Sequence, residues 1–288
     1  MPDIDVFFQW APWEPLATHR GFTHSLVGGV VLMPPILCGL LLLLDRWQVR
    51  RGTRFRSGLE MHRGWLLALC YLGALTHPLL DLQTTYSVQL LSPFSGTWWH
   101  SDSLFIIDIW IWLALGGTIG WSKWMEKRGK TDWRRPVQAS LALVFIYICF
   151  NLGLSDTAVA QVRAREPQAT SIFASPPPAL FWRRDMAWRQ GGAIGRAHWR
   201  FLGGLGPSEP LVSDHMSDPI VLRAVRSDPR MHKFLKWSVL PVAQVTRDGC
   251  IAKVLIADAR YGLPGRGRAR LDRETVVVLC ERPGPTGP

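Results

Sequence analysis

THPLLDLQTTYSVQLLSPFSGTWWHSDSLFIID, residues 76–108, decides how the chain is read. It contains no Lys or Arg, yet it holds His77, Asp81, Asp102 and Asp108. It lies between two strongly apolar segments, where a carboxylate or an imidazole is costly to bury without a partner. We read these groups as sharing a metal ion with His19, His24 and the aspartates at the start of the chain.

Working outward, four apolar blocks dominate the first 153 residues. Leu26–Leu44 has 19 residues without a charge, enough to cross a bilayer core of about 30 Å as a helix. Pro34-Pro35 should kink it. Trp65–Leu80 is shorter and ends at His77-Pro78, Leu104–Trp121 is interrupted by Asp108, and Val137–Gly153 completes the series. The loop at 45–64 carries six Arg, and 122–136 carries three Lys and three Arg. Both basic loops fall on one side if all four blocks span, and an excess of Lys and Arg marks the cytoplasmic side. The opposite side then receives residues 1–25, 81–103 and everything after 153. The competing reading, buried helices of a soluble protein, suits Trp65–Leu80 alone but not all four blocks together.

Composition agrees. Of 288 residues, 48% are hydrophobic and 19% charged, against about 25% charged in an average soluble protein. The net charge of +11 comes with 15 Trp and with apolarity gathered in blocks, which points to a membrane before nucleic acid. No direct nucleic-acid binding is expected. The five Cys show no CxxC or zinc-finger spacing. Cys38, Cys70 and Cys149 lie inside apolar blocks as small core residues, whereas Cys250 and Cys280 could pair outside the cytoplasm. Residues 1–25 lack the basic start and apolar core of a secretory signal. The abrupt opening, Met1-Pro2-Asp3-Ile4-Asp5, fits an alternative start or the loss of an upstream helix.

Beyond Gly153 the pattern changes. Residues 155–170 read as a short amphipathic helix, and SPPP at 175–178 breaks it. Two strands are expected around Gly191-Gly192, one or two helices in 218–237 interrupted at Pro229, and a hairpin about Arg247-Asp248-Gly249. Glu274–Cys280 reads as a last strand, 262–270 as a loop and the tail from Pro283 as disordered. The expected fold is a mostly α membrane protein: about four transmembrane helices (residues 1–153) followed by a small α+β extracytoplasmic domain (154–282) and a tail (283–288).

The chemistry rests on spacing. His77 and Asp81 are four apart, one helical turn on a shared face. That suits two ligands of one ion, a ligand and its orienting carboxylate, or a plain helix-end hydrogen bond. His19 and His24, in THRGFTHS, are five apart, so His19 is expected in a turn and His24 in the first turn of the helix. Arg20 could hold a phosphate or carboxylate through its planar guanidinium, or form a salt bridge to Asp81, Asp102 or Asp108. Asp102 is read either as a ligand or as the N-cap of the third helix. Asp108 lies in the first turns of a span and needs a cation, a proton or a donor. Asp3 and Asp5 alternate in PDxD, a spacing that can chelate a divalent ion or simply sit in solvent.

Imidazole with carboxylate suits Zn, Mn or Fe better than Mg, with Zn preferred. Such a set makes hydrolysis the natural reaction class. There is no GxSxG, P-loop or dinucleotide fingerprint. The metal ligands expected are His19, His24, His77 and Asp81, with Asp5 and Asp102 as further candidates. Asp108 is assigned as general base or ligand-orienting group, and Arg20 as the holder of an anionic substrate.

The ordered series Pro2-Asp3-Ile4-Asp5, His19-Arg20-Gly21-Phe22-Thr23-His24-Ser25, His77-Pro78-Leu79-Leu80-Asp81, Ser92-Pro93-Phe94, and Trp98-Trp99 leading to Asp102 and Ile107-Asp108 resembles the YdjM-like membrane-bound metal-dependent hydrolases. These are also called LexA-binding, inner-membrane-associated hydrolases. Phe234-Leu235-Lys236-Trp237, Leu240-Pro241 and Asp258-Ala259-Arg260-Tyr261 resemble the tail domain of longer members. The resemblance implies a multi-pass protein of the bacterial inner membrane with a divalent-metal site, hydrolase activity and a LexA-type partner. A more distant similarity to zinc-dependent phospholipase C and P1-type nucleases suggests a phosphoester of a lipid or envelope precursor. Members of the family usually open with another apolar helix bearing a Thr-His pair ahead of PDxD, absent here, so one ligand is expected to be missing. Two rival readings remain: a non-catalytic scaffold or regulator meeting its partner at the basic loops, and an ion or proton transporter using Asp108 and the histidines as a relay.

Overall fold

The computed structural model describes residues 2–8, 10–52, 61–265 and 273–278. Contacts gather into two compact units, Met1–Asp102 and Ser103–Pro288.

The first unit begins with a 3-10 helix, Pro2–Phe8, and a single helical turn α1, Glu14–Ala17. A 3-10 turn, Phe22–His24, leads into a wide π-helical stretch, Leu26–Leu32, and then α2, Met33–Arg50. The kink expected at Pro34-Pro35 is replaced by this change of helix type. Proline is tolerated in a helix's first turn, where its missing N–H costs nothing, and Pro34 occupies that place in α2. Upstream, Val30 N donates to Ser25 O, five residues back, as a π turn requires. Gly28 and Gly29 make this possible: a Cβ on Gly28 would lie 2.1 Å from Phe22 O, and one on Gly29 2.4 Å from Thr23 O. α3, Arg63–Leu82, packs on α2, and Cys38 and Cys70 are both buried. Residues 83–102 form the predicted loop, pinned by a bridge between Val88 and Trp99.

The second unit opens with α4, Ile109–Lys127, which starts later than the apolar block at Leu104. Asp108 is its N-cap, accepting from Trp110 N and Ile111 N, so the cap assigned to Asp102 belongs to Asp108. α5 is one continuous helix, Arg135–Arg165. It absorbs both the fourth apolar block and the separate amphipathic helix expected from 155, since no proline intervenes before Pro167. α4 and α5 run antiparallel: Tyr147 donates to Asp108 at 3.1 Å at one end, and Ser122 donates to Trp133 O at the other. Leu26–Arg50, Arg63–Leu82 and Arg135–Arg165 are the described helices long and apolar enough to cross a membrane.

The rest of this unit is layered. The first sheet holds β1 (Thr170–Ser175), β2 (Arg183–Gln190), β3 (Ala193–Arg200), β4 (Gly204–Leu205) and β5 (Val212–Ser213), ordered β1-β2-β3-β4 with β5 also on β3. β2 and β3 pair antiparallel about Gly191-Gly192, as expected. β1 starts at the last residue of the segment read as helix, 155–170, and fills the residues ahead of SPPP; its β-branched Thr170 and Ile172 and its aromatic Phe173 favour an extended chain. One face of the sheet packs Ile172, Ala174, Met186, Trp188 and Trp199 against Leu154, Ala158 and Val162 of α5. The other packs Phe173, Ala187 and Ile194 against a second sheet, β6 (Pro241–Asp248), β7 (Ile251–Asp258) and β8 (Arg273–Val278). α6 (Pro219–Ser227) and α7 (Pro229–Trp237), capped by Asp218 and Asp228, cover that sheet's far side. The order is therefore helix, sheet, sheet, helix pair. Cys280 and the tail from 283 lie outside the described residues, as do the basic residues 53–60.

Candidate metal centre

Three pieces of the first unit meet at the end of α3. Its last two turns present His77 and Asp81 on one face, as the four-residue spacing predicts. The 3-10 turn brings His24, fully buried. The 3-10 helix Pro2–Phe8 brings Asp3 and Asp5. With three residues per turn, residues two apart diverge, so Asp5 is buried while Asp3 stays 58% exposed.

One ligand atom each from Asp3, His24, His77 and Asp81 falls within 4.8 Å of the others. His24 Nε2 lies 3.2 Å from Asp3 Oδ1 and 3.3 Å from Asp81 Oδ2. His77 Nε2 lies 3.4 Å from Asp3 Oδ2 and 3.3 Å from Asp81 Oδ2. Zinc bonds of about 2.0–2.2 Å put the donors of a tetrahedral site about 3.4 Å apart, and the four imidazole–carboxylate separations lie close to that length. His77 Nε2 and Asp81 Oδ2 are buried, and neither makes a hydrogen bond among the described residues. They lie close without pointing at each other, as atoms aimed at a common third point do. Two imidazoles and two carboxylates suit Zn, Mn or Fe.

A shell of fixed partners holds the set. Asp5 Oδ1 meets His19 Nδ1 at 2.8 Å, and Oδ2 accepts from Thr23 Oγ1 at 2.6 Å and from Arg20 N at 3.0 Å. Arg20 reaches that bond through a left-handed backbone, φ 60°. Asp5 Oδ2 also lies 3.3 Å from His24 Nδ1. A carboxylate on one ring nitrogen fixes the tautomer that leaves the other free for a metal. Burial would raise the Asp5 pKa, but hydrogen bonds from His19, His24 and Thr23 outweigh it and hold the carboxyl well below the usual range. For His24, burial would lower the pKa, yet Asp5 and Asp81 raise it. The pocket thus favours positive charge at its centre.

Asp81 is split between two tasks. Oδ2 faces the group, and Oδ1 takes Arg20 Nη2 at 2.9 Å. Arg20 also donates to Thr84 Oγ1 and stacks over the Tyr86 ring at 4.5 Å. Of the two roles read for Arg20, the structure shows the salt bridge, made to Asp81.

Of the predicted ligands, His24, His77 and Asp81 come together. His19 and Asp5 stand one step behind, pairing with each other. Asp102 is buried beside His100, 3.0 Å away, and is not among the four. Asp108 belongs to the second unit as a helix cap. The residue underrated from sequence is Asp3. The PDxD motif was its signal, but an exposed carboxylate near a terminus reads first as a solvated group.

Residues 1–157 match the YdjM inner membrane protein family. No curated protein and no solved structure matches the chain. With more than half its length covered by that match, the chain belongs to the YdjM inner membrane protein family.

Proposed function

We propose that this protein is a metal-dependent hydrolase of the bacterial inner membrane, acting on an ester of an anionic, phosphate-bearing lipid or envelope precursor. The convergence of Asp3, His24, His77 and Asp81, one ligand atom each within 4.8 Å of the others, carries the reading. Zinc is the ion the donor set suits best, with Mn or Fe as alternatives. When bound, such an ion supplies a water of lowered pKa and polarises a phosphoryl oxygen. His24, His77 and Asp81 would hold it, and Asp5 keeps His24 in the ligating tautomer. Arg20 fixes which Asp81 oxygen faces inward. Asp3, the most exposed of the four, lies where substrate enters and is suited to accept a proton from water there. With Arg20 neutralised by Asp81, the anionic part of a substrate is left to the metal itself.

Four features support a four-span topology with this site and the second unit on the non-cytoplasmic side. α4 runs alongside the apolar α5 over its full length. Its Trp110 and Trp112 sit at one end and Trp121 and Trp124 at the other, as interfacial belts do. Within the first unit, Arg46 and Arg50 of α2 and Arg63 of α3 lie at the helix ends away from the site. Cys250 is disulfide-bonded, a state favoured outside the cytoplasm.

The test is metal analysis of protein purified in detergent, beside His77→Ala and Asp81→Ala. Near-stoichiometric metal in the parent and its loss in both variants, with hydrolysis of a phosphodiester reporter lost in parallel, is the expected result. Metal content indifferent to both changes would return the chain to a scaffold or regulatory role.

A further inference from the structure

Within the second unit, the open end of the β2–β3 hairpin is apolar and faces away from the sheets' own cores. Phe201 N donates to Trp182 O at 2.9 Å, closing the hairpin beyond Arg183 and Arg200. The turn that follows exposes Leu202 at 92%, with Trp182 and Phe201 each nearly half exposed. The same end is anchored on the helix pair. The Phe201 ring lies 5.5 Å from Phe150 of α5, and Trp110 of α4 donates from its indole to Ala179 O at 3.0 Å. Phe150 is where α5 changes character. Before it come the lipid-facing Leu143, Phe145 and Ile146, all more than half exposed; after it come the buried Asn151 and Ser155. A chain leaving the hydrocarbon would show this switch, so the hairpin end sits at the level where the helix leaves the bilayer.

We propose that Trp182, Phe201 and Leu202 form a membrane-dipping tip that inserts at the headgroup–acyl boundary of the bilayer crossed by α5. The apolar surface of the tip is continuous with that of the helix through the Phe150–Phe201 contact. Aromatic rings favour that depth, and an exposed leucine gains there what it loses in water. Arg200, exposed beside the tip and in no ion pair among the described residues, suits the phosphates above it. The proposal rests on α5 being a span, not on the metal site.

Leu202→Cys, Ile146→Cys and Gly192→Cys, each made in the full chain with the free Cys38, Cys70 and Cys149 replaced by alanine, carry a polarity-sensitive fluorophore in phosphatidylglycerol–phosphatidylethanolamine vesicles. The label at 146 reports the span, and the label at 192, at the hairpin's other end, reports water. At 202 we expect a blue-shifted emission quenched severalfold more by shallow spin-labelled lipid than by aqueous iodide. Emission at 202 matching that at 192, with 146 lipid-quenched, overturns the tip while leaving the span. A label at 202 shielded from both quenchers means that protein covers it, and also overturns the proposal. No lipid quenching at either 146 or 202 removes the span itself and the tip with it.

Discussion

Asp5 Oδ2 lies 3.3 Å from His24 Nδ1 and accepts from the Thr23 hydroxyl that bonds the same ring nitrogen, while His24 Nε2 faces Asp3 and Asp81. A carboxylate that never touches the ion would therefore set its affinity.

Asp5→Asn keeps the shape but weakens the grip on the imidazole and on His19. Changes to such outer partners cost about 10–100-fold in metal affinity. We expect a fall of that size in competition titrations with a chelating dye, whereas His77→Ala should abolish stoichiometric binding. Equal affinity in Asp5→Asn and the parent would remove the orienting role.

Arg20→Lys separates charge from geometry. The guanidinium reaches Asp81 and Thr84 at once and stacks on Tyr86, which a lysine cannot reproduce. Truncating one member of a buried pair costs about 3–5 kcal/mol, so Arg20→Ala should lower the thermal midpoint in detergent strongly, and Arg20→Lys should recover only part of it. A variant with an unchanged midpoint but a raised KM would instead restore Arg20 to substrate binding.

Gly28→Ala tests the π-helical entry. A methyl group there meets the Phe22 carbonyl oxygen, whereas Gly39 has nothing within 4 Å. Overpacking costs about 1–3 kcal/mol. Because the strain falls on the turn bearing His24, Gly28→Ala should also weaken metal binding, and Gly39→Ala should leave both properties alone.

The second unit carries its own acid-sensitive pair. Burial would raise the Asp258 pKa, but Arg260 at 2.9 Å and the Ser238 hydroxyl at 2.6 Å hold it down. A carboxyl depressed in the folded state stabilises above its unfolded pKa of about 3.9, and that stability is lost as pH falls through the lower folded value. Proteolysis protection of the parent should decline below about pH 4. Asp258→Asn should start lower at neutral pH by about 3–5 kcal/mol and show a flatter decline.

Much of this was legible because its physics is local. The apolar blocks gave the helices, the hairpin signals gave β2–β3 and β6–β7, and the HxxxD spacing placed His77 and Asp81 on one face. What escaped depended on partners distant in sequence. Nothing near Asp102 and Asp108 says which of them caps α4. The division of labour between Asp3 and Asp5 follows from a 3-10 helix whose phase neither residue reveals. β1 was not read as a strand because its strand identity comes from the Trp-rich sheet it joins. Arg20 had two chemically equal offers, and only folding brings Asp81 and Thr84 to its fork.

α5 runs unbroken for 31 residues, about 46 Å at the usual rise. Its apolar half is long enough to cross a membrane, and its last turns form one wall of the sheet core. A rod without a joint cannot lean at one end alone. Were α5 to span a bilayer and adjust its tilt to the bilayer's thickness, the stacked sheets would swing with it, as a weathervane follows its spindle.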